Sequence, residues 1–240
     1  QITSKTARLL DAAAVKKIAP MPDVTVERMI ADLSKKNQAL LDMVVTQNSQ
    51  MLSADRAIVR TQEAVLGNLS ADAMRKAAGA DAAVLNGGAI RHDLPAGAVT
   101  KGDILAVYPF GNTLMKLEVS GDVLRQALEH SVSEVPAEFG GFLQVSGLQF
   151  QVDAAAPAGQ RVKDIMIGGK PLSLQQTYTL AMPDFLFAGG DGYTMFKGMK
   201  VVGEYGTLEE VMIHYFNQAE RDGIQLGRIQ MQAGQARKAA

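Results

Sequence analysis

Asp184-Phe185-Leu186-Phe187-Ala188-Gly189-Gly190-Asp191-Gly192-Tyr193 places aromatic rings that can grip a flat ligand directly before a tight glycine turn. The turn presents one carboxylate, Asp191, and its glycines let the backbone come close to a ligand. Taken alone, the stretch suits a binding loop on a rigid scaffold or an ordinary turn between two elements. The flanking sequence separates the two.

Immediately upstream, Tyr178–Met182 reads as a strand entering the loop. Before it, Leu148–Val152 and Val162–Ile167 also read as strands, with Gly168-Gly169 as a hairpin signal. Further back, Thr113–Val119 alternates as a strand, and Ser120 caps a helix to about Val132 with Val123, Leu124, Ala127 and Leu128 inward. Thr100–Ala106 reads as a capped helical turn and Ala82–Leu85 as a short buried strand. A helix over about 63–78 has an apolar face of Val65, Leu66, Leu69, Ala73 and Met74 and stops at Gly79. Downstream, Thr207 and Glu210 form a T-x-x-E capping box for a last helix ending near Gly223. Gln225–Ala240 reads as a frayed tail after a final short strand. Helices and strands mix without strict β-α-β alternation, which indicates an α+β fold with helices layered on sheets.

At the other end, a short helical stretch around Leu9–Ile18 meets the breaker Ala19-Pro20-Met21-Pro22-Asp23. Thr25 can cap the next helix, whose apolar positions are Val26, Met29, Ile30, Leu33, Leu40, Leu41, Val44 and Val45. From Val24 to Thr46 it would span roughly 35 Å at about 1.5 Å per residue. Such a helix serves either as a connector or as a layer packed on the domain.

The 240 residues, 47% hydrophobic and 20% charged, allow one large domain or two small ones. With 24 basic against 25 acidic residues, net charge is −1, so bulk electrostatics offer no attraction to nucleic acid or an anionic membrane. Cysteine is absent, which excludes disulfides and thiolate metal sites. No apolar run is long enough for a transmembrane helix. The chain opens at Gln1 without an initiator Met or a signal peptide, and is expected to be an excised or processed piece.

Four loops share the glycine-and-aromatic style of the opening stretch: 86–91, 109–112, 140–145 and 184–193. Together they supply Asn86, Arg91, Phe110, Asn112, Gly140, Phe185 and Asp191, and Arg60 precedes them. A purine nucleoside wants such a kit. Two aromatic rings can sandwich a base at about 1–3 kcal/mol per stack. An amide can bond a base edge, a carboxylate can accept from ribose hydroxyls, and arginines fork onto phosphate oxygens. Each residue also has an ordinary reading. Phenylalanines are commonly core, Asn86-Gly87-Gly88 and Asp191-Gly192 suit plain turns, and Arg60 and Arg91 suit surface charges.

Asn86-Gly87-Gly88-Ala89-Ile90-Arg91, Tyr108-Pro109-Phe110-Gly111-Asn112, Gly140-Gly141-Phe142-Leu143-Gln144-Val145-Ser146-Gly147 and Phe185–Tyr193 occur in an order and at spacings that resemble the C-terminal domain of the 5'-nucleotidases. That family includes UDP-sugar hydrolases and 2',3'-cyclic-nucleotide phosphodiesterase/3'-nucleotidases. The resemblance runs from about Arg60 to Arg228. It implies a layered α/β/β/α domain over residues 51–230, a linker helix over 24–50, a remnant of a preceding metallophosphatase domain or tail over 1–23, and a tail over 231–240. It implies that Phe110 and Phe185 stack the base, Asn112 reads it and Gly140 lines its pocket. Asp191 would take the ribose, and Arg60 and Arg91, with Asn86 beside them, the phosphate. Phe187 is assigned to packing or loop support.

The resemblance also implies two divalent metals, held in an N-terminal metallophosphatase domain of the same polypeptide by Asp-x-His, Gly-Asn-His-Asp/Glu and later histidines. None of those motifs occurs here. The only histidines are His92, His130 and His214; the last two read as surface or packing residues, and His92 adjoins the site only through Arg91. No cofactor is expected in this chain. The chain is expected to be the substrate-recognition half of a periplasmic or secreted two-metal nucleotide hydrolase, swinging about the linker helix and binding AMP or adenosine without hydrolysing it. Two rival readings remain: a stand-alone, non-catalytic nucleoside- or sugar-binding module, separable by the sequence upstream of Gln1, and an interaction domain whose aromatics are all core.

Overall fold

A computed structural model of the chain describes residues 9–18, 23–216 and 226–232. The chain divides at Asp42/Met43 into two compact units. The first holds α1 (Ala12–Ile18) and α2 (Val24–Leu41). Asp23 caps α2, its carboxylate accepting from the Thr25 and Val26 amides at 2.8 and 3.1 Å. The cap is therefore Asp23 and not Thr25: a carboxylate both satisfies the free amides and suits the positive end of the helix. The helix expected to Thr46, within a linker over 24–50, ends at Leu41. Val44 and Val45 fit the helical spacing, but they open a β-branched run that pairs as a strand with Gly97–Thr100.

The second unit begins with that strand, β1 (Val44–Asn48), and continues through α3 (Arg56–Val59), α4 (Val65–Ala78), β2 (Ala82–Asn86), β3 (Gly97–Thr100), α5 (Lys101–Val107), β4 (Thr113–Ser120) and α6 (Gly121–Ser131). It then runs through β5 (Leu143–Ser146), β6 (Leu148–Asp153), β7 (Val162–Ile167), the two-residue β8 (Lys170–Pro171), β9 (Thr177–Pro183), α7 (Asp184–Phe187), β10 (Lys200–Thr207), α8 (Leu208–Phe216) and β11 (Ile229–Gln232). The expected end of the last helix near Gly223 and the tail beyond Gln232 lie outside the described residues.

Local chemistry sets most of these boundaries. Thr100 and Asp103 make a full capping box on α5, and Ser120 accepts from the Val123 amide to start α6. Thr207 and Glu210 exchange the capping-box bonds expected of them at the head of α8. Gly79, at φ +54°, ends α4 in the left-handed region. Gly168 and Gly169, both at positive φ, make the two-residue hairpin between β7 and β8.

A five-stranded sheet runs β10-β4-β9-β2-β5, and a four-stranded sheet runs β11-β6-β7-β8. Side chains alternate along the central strands, and that alternation divides the interior into two cores. Ala83 and Leu85 of β2, Leu114 of β4 and Ala181 of β9 join Leu66, Leu69, Met74, Ile104 and Met212 from α4, α5 and α8. Their neighbours Ala82, Val84, Met115, Leu117, Val119, Leu180 and Met182 face α6 and the second sheet through Leu124, Leu128, Phe150 and Val152. The architecture is the expected α+β: helices cover one face of the central sheet, and a helix with a second sheet covers the other.

Strand direction then gathers the four glycine loops. β2 and β9 run parallel, while β5 lies antiparallel to β2 and β4 antiparallel to β9. The residues after β2 and β9 and those before β4 and β5 therefore all fall at one end of the sheet.

Candidate functional site

Arg60, Asn86, Arg91, Phe110, Asn112, Gly140, Phe185 and Asp191 line a single cleft of about 330 Å³, together with Gly88 and Ala89. All eight sequence-derived residues meet there. A second cleft, about 380 Å³, holds none of them; its Arg228 and Asp72 form an ion pair at 2.7 Å, and its Arg75 donates to Ser146.

The loop after β2 is knitted to the loop before β5 by backbone. The Gly87 amide donates to the Phe142 carbonyl and the Gly88 amide to the Gly140 carbonyl, both at 2.7 Å. Gly87 is required because a Cβ there would collide with the Val59 carbonyl at the end of α3. That close approach brings the next residue, Arg60, to the cleft, where its carbonyl accepts from the Phe139 amide at 3.1 Å. Arg91 stands on the far side of the same loop. Its guanidinium lies 5.8 Å from the Phe110 ring centroid, a cation–π contact.

Phe110 and Phe185 do not belong to either core. They are 58% and 40% exposed, whereas Phe142, Phe150 and Phe196 are no more than 2% exposed. Phe185 lies over Gly190, where a Cβ would run into the ring. Phe187 is half-buried and packs against the second core. The loop that carries Phe185 and Asp191 is pinned by Leu186, Tyr193 and Phe196, all fully buried. The Tyr193 hydroxyl donates to the Gly141 carbonyl, and burial raises its pKa well above the ordinary tyrosine value.

Asp191 sits at φ +51°, in the left-handed region that non-glycine residues rarely adopt. Two contacts hold it there. The Asn86 amide donates to its Oδ2 at 2.9 Å, and His130 Nε2 meets its backbone carbonyl at 2.7 Å, so that nitrogen carries the proton. His130 also packs edge-on against Phe139 and Tyr193. Asn112 donates from its side-chain amide to Asp184 Oδ1 at 2.9 Å, and its backbone carbonyl accepts from the Leu208 amide.

Two polar atoms of the cleft residues are buried without a hydrogen-bond partner among the described residues: Arg60 Nε and Asn86 Oδ1. Each such orphan costs about 1–3 kcal/mol until something pairs with it. Burial, followed by the positive charges of Arg56 and Arg91, pushes the Arg60 guanidinium below its ordinary pKa, against the pull of Glu138 and Asp191. The arginine corner is thus short of negative charge.

His130 and Asp184 were not singled out by sequence. His130 does pack, as expected, but it also fixes the Asp191 turn from 61 residues away along the chain, and nothing local marks it. Asp184 opens the decisive stretch, and its position directly after the strand-ending Pro183 is the one signal that could have marked it. His92 is exposed, bonded to the Asp93 carbonyl, and does not line the cleft. Among the described residues no three His, Cys, Asp or Glu side chains gather as a metal site.

A family model described as 5'-nucleotidase, C-terminal domain, matches residues 44–198. The trifunctional nucleotide phosphoesterase protein YfkN of Bacillus subtilis is 40% identical over 154 residues, covering 60% of this chain and 10% of that protein. A 5'-nucleotidase of Vibrio cholerae is 31% identical over 193 residues, covering 80% of this chain and 33% of its own length. Among solved structures, a 5'-nucleotidase precursor from Thermus thermophilus superposes with a TM-score of 0.77 at 33% identity, covering 87% of this chain and 43% of that one. The chain spans a third or less of the length of these curated relatives.

Proposed function

The chain belongs to the 5'-nucleotidase family, as its C-terminal domain, and from that premise we propose that it recognises the nucleotide substrate of a phosphohydrolase whose catalytic metal centre lies in another domain of the same polypeptide. The base lies between Phe110 and Phe185. Asn112 meets the base edge, and Asp191 accepts from the ribose hydroxyls. Arg60 and Arg91 take the phosphate, with Asn86 beside them.

The observation that carries this reading is the convergence of these residues, drawn from separate loops, on one cleft between two exposed phenylalanine rings. Exposing two large rings at one rim is unfavourable without a ligand to cover them. A cleft of about 330 Å³ falls within the usual range for small-molecule sites, roughly 300–1,000 Å³. The surplus positive charge of Arg56, Arg60 and Arg91 at that end suits a phosphate.

The described residues do not fit a two-metal centre, so the ions the family resemblance implies are assigned to a preceding metallophosphatase domain. The chain's own share of catalysis is to bind the nucleoside and hold the phosphate in place, contributing remote binding energy to the reaction. On the same reading, α2 is the connector to that domain, its Val26, Met29, Ile30 and Leu33 exposed in this chain, and the parent protein works in the periplasm or outside the cell. Among the described residues no helix is long and apolar enough to cross a membrane.

Isothermal titration of the chain with AMP and with adenosine tests the proposal. Both are expected to bind at one site, AMP the more tightly, with no release of phosphate when divalent metal is supplied. Absence of binding by either ligand, or turnover by this chain alone, would overturn it.

A further inference from the structure

The antiparallel register of β4 and β9 pairs Leu114 with Pro183. Continued by one and two steps, it brings Asn112 and the start of α7 together at the end of the sheet that carries the cleft. There the Asn112 Nδ2 donates to Asp184 Oδ1 at 2.9 Å, and the same oxygen accepts from the Phe185 amide at 2.8 Å. The carboxylate is thereby fixed from two sides.

An ionised carboxylate has only acceptors to offer, so the nitrogen end of the Asn112 amide must face Asp184. An unrestrained asparagine can turn its amide over and present either end to a ligand. Here one orientation is removed. Asn112 Oδ1 has no protein partner among the described residues, and Asn112 lines the cleft. The cleft is left with an amide oxygen as acceptor and the second amide hydrogen beside it. That pair matches the exocyclic amine and adjacent ring nitrogen of a 6-aminopurine. A 6-oxopurine places two acceptors on the same edge and sets an oxygen against Oδ1.

We infer that Asp184 is the residue that sets base preference, by holding Asn112 as an acceptor toward the ligand and so favouring 6-aminopurine over 6-oxopurine nucleotides. Asp184 acts through Asn112 and is a positioning residue. The inference rests on the nucleotide reading of the cleft given above.

The test is titration of the full chain with AMP and with IMP, in wild type, Asp184→Asn and Asn112→Ala. The wild type is expected to bind AMP on the order of tenfold more tightly than IMP, as one good amide–base pair supplies. Asp184→Asn, which can donate as well as accept, frees the Asn112 amide and brings the two affinities together. Asn112→Ala does the same without touching Asp184. A purely structural role for Asp184 would weaken both nucleotides in parallel and leave their ratio unchanged. Equal affinities in the wild type, or an AMP preference retained by Asp184→Asn with an unchanged thermal midpoint, would overturn the assignment while leaving nucleotide binding intact. If the wild type binds neither nucleotide, the nucleotide reading itself falls, and this inference with it.

Discussion

Phe110→Ala and Phe185→Ala are each expected to weaken AMP binding by about 1–3 kcal/mol, roughly five- to 150-fold in Kd, while leaving the thermal midpoint almost unchanged. The two halves of that outcome come from one fact. Both rings are exposed, at 58% and 40%, so truncation opens no cavity in either core. Substitutions at exposed positions commonly shift stability by no more than about 0.5 kcal/mol. Phe142→Ala is the internal control. Phe142 is fully buried among Leu143, Val145 and Phe150, and its loss is expected to cost about 3–5 kcal/mol of stability. If all the aromatics were core, the three variants would unfold alike; if the rings stack a base, only Phe142→Ala loses stability. Phe110→Ala also removes the face on which Arg91 rests, a contact of about 0.5–1 kcal/mol at an exposed site, so its effect is expected to exceed that of Phe185→Ala.

Arg60→Met is expected to separate the phosphate from the rest of the ligand. AMP affinity falls by about 1.5–3 kcal/mol, the worth of hydrogen bonds to a charged group, and adenosine affinity stays where it was. Titrating both ligands into both proteins closes a double-mutant cycle in which the ligand's own phosphate is one of the changes. Methionine keeps the apolar stem and removes the fork. The stability of the free protein points the other way. Burial and the neighbouring Arg56 and Arg91 lower the Arg60 pKa, so the folded protein holds this charge less well than water does, and at neutral pH the charge works against folding. Arg60→Met is therefore expected to leave the thermal midpoint unchanged or to raise it. Equal losses for AMP and adenosine would place Arg60 elsewhere than on the phosphate.

The residues of the cleft were legible as a set because four loops repeat one chemical style. Glycine beside an aromatic or a carboxylate at Asn86–Arg91, Pro109–Asn112, Gly140–Val145 and Asp184–Tyr193 is visible without knowing how the strands pair. Helix starts were legible for a similar reason: Thr100, Ser120 and Thr207 carry their capping chemistry in the residues that follow them. What escaped depends on pairing between distant segments. Val44 and Val45 satisfy a helical stripe and a strand equally well, and only the partner strand β3 decides between them. Strand β10, Lys200–Thr207, is mostly exposed at the sheet edge and has no apolar alternation to betray it. The contacts of Asp184 with Asn112 and of His130 with Asp191 join residues 72 and 61 positions apart, so register and helix placement had to be known first.

The same distinction applies to the site's electrostatics. By residue type alone Arg60 and Arg91 suit surface charges, and only the family resemblance gave them the phosphate. The proximity of Arg60 to Arg56 and Arg91, the burial of its Nε and its lowered pKa arise only when α3 is brought against Gly87. A glycine at that position is what lets an arginine from one loop reach an asparagine and an aspartate from two others.

An experimental structure of the chain with AMP bound tests the nucleotide-binding cleft most directly. The expected result is adenine between the Phe110 and Phe185 rings, ribose hydroxyls on Asp191, and phosphate at Arg60 and Arg91. Adenine bound away from both rings, or a nucleotide seated in the second cleft at Arg75 and Ser146 with Phe110 and Phe185 uncovered, would contradict it.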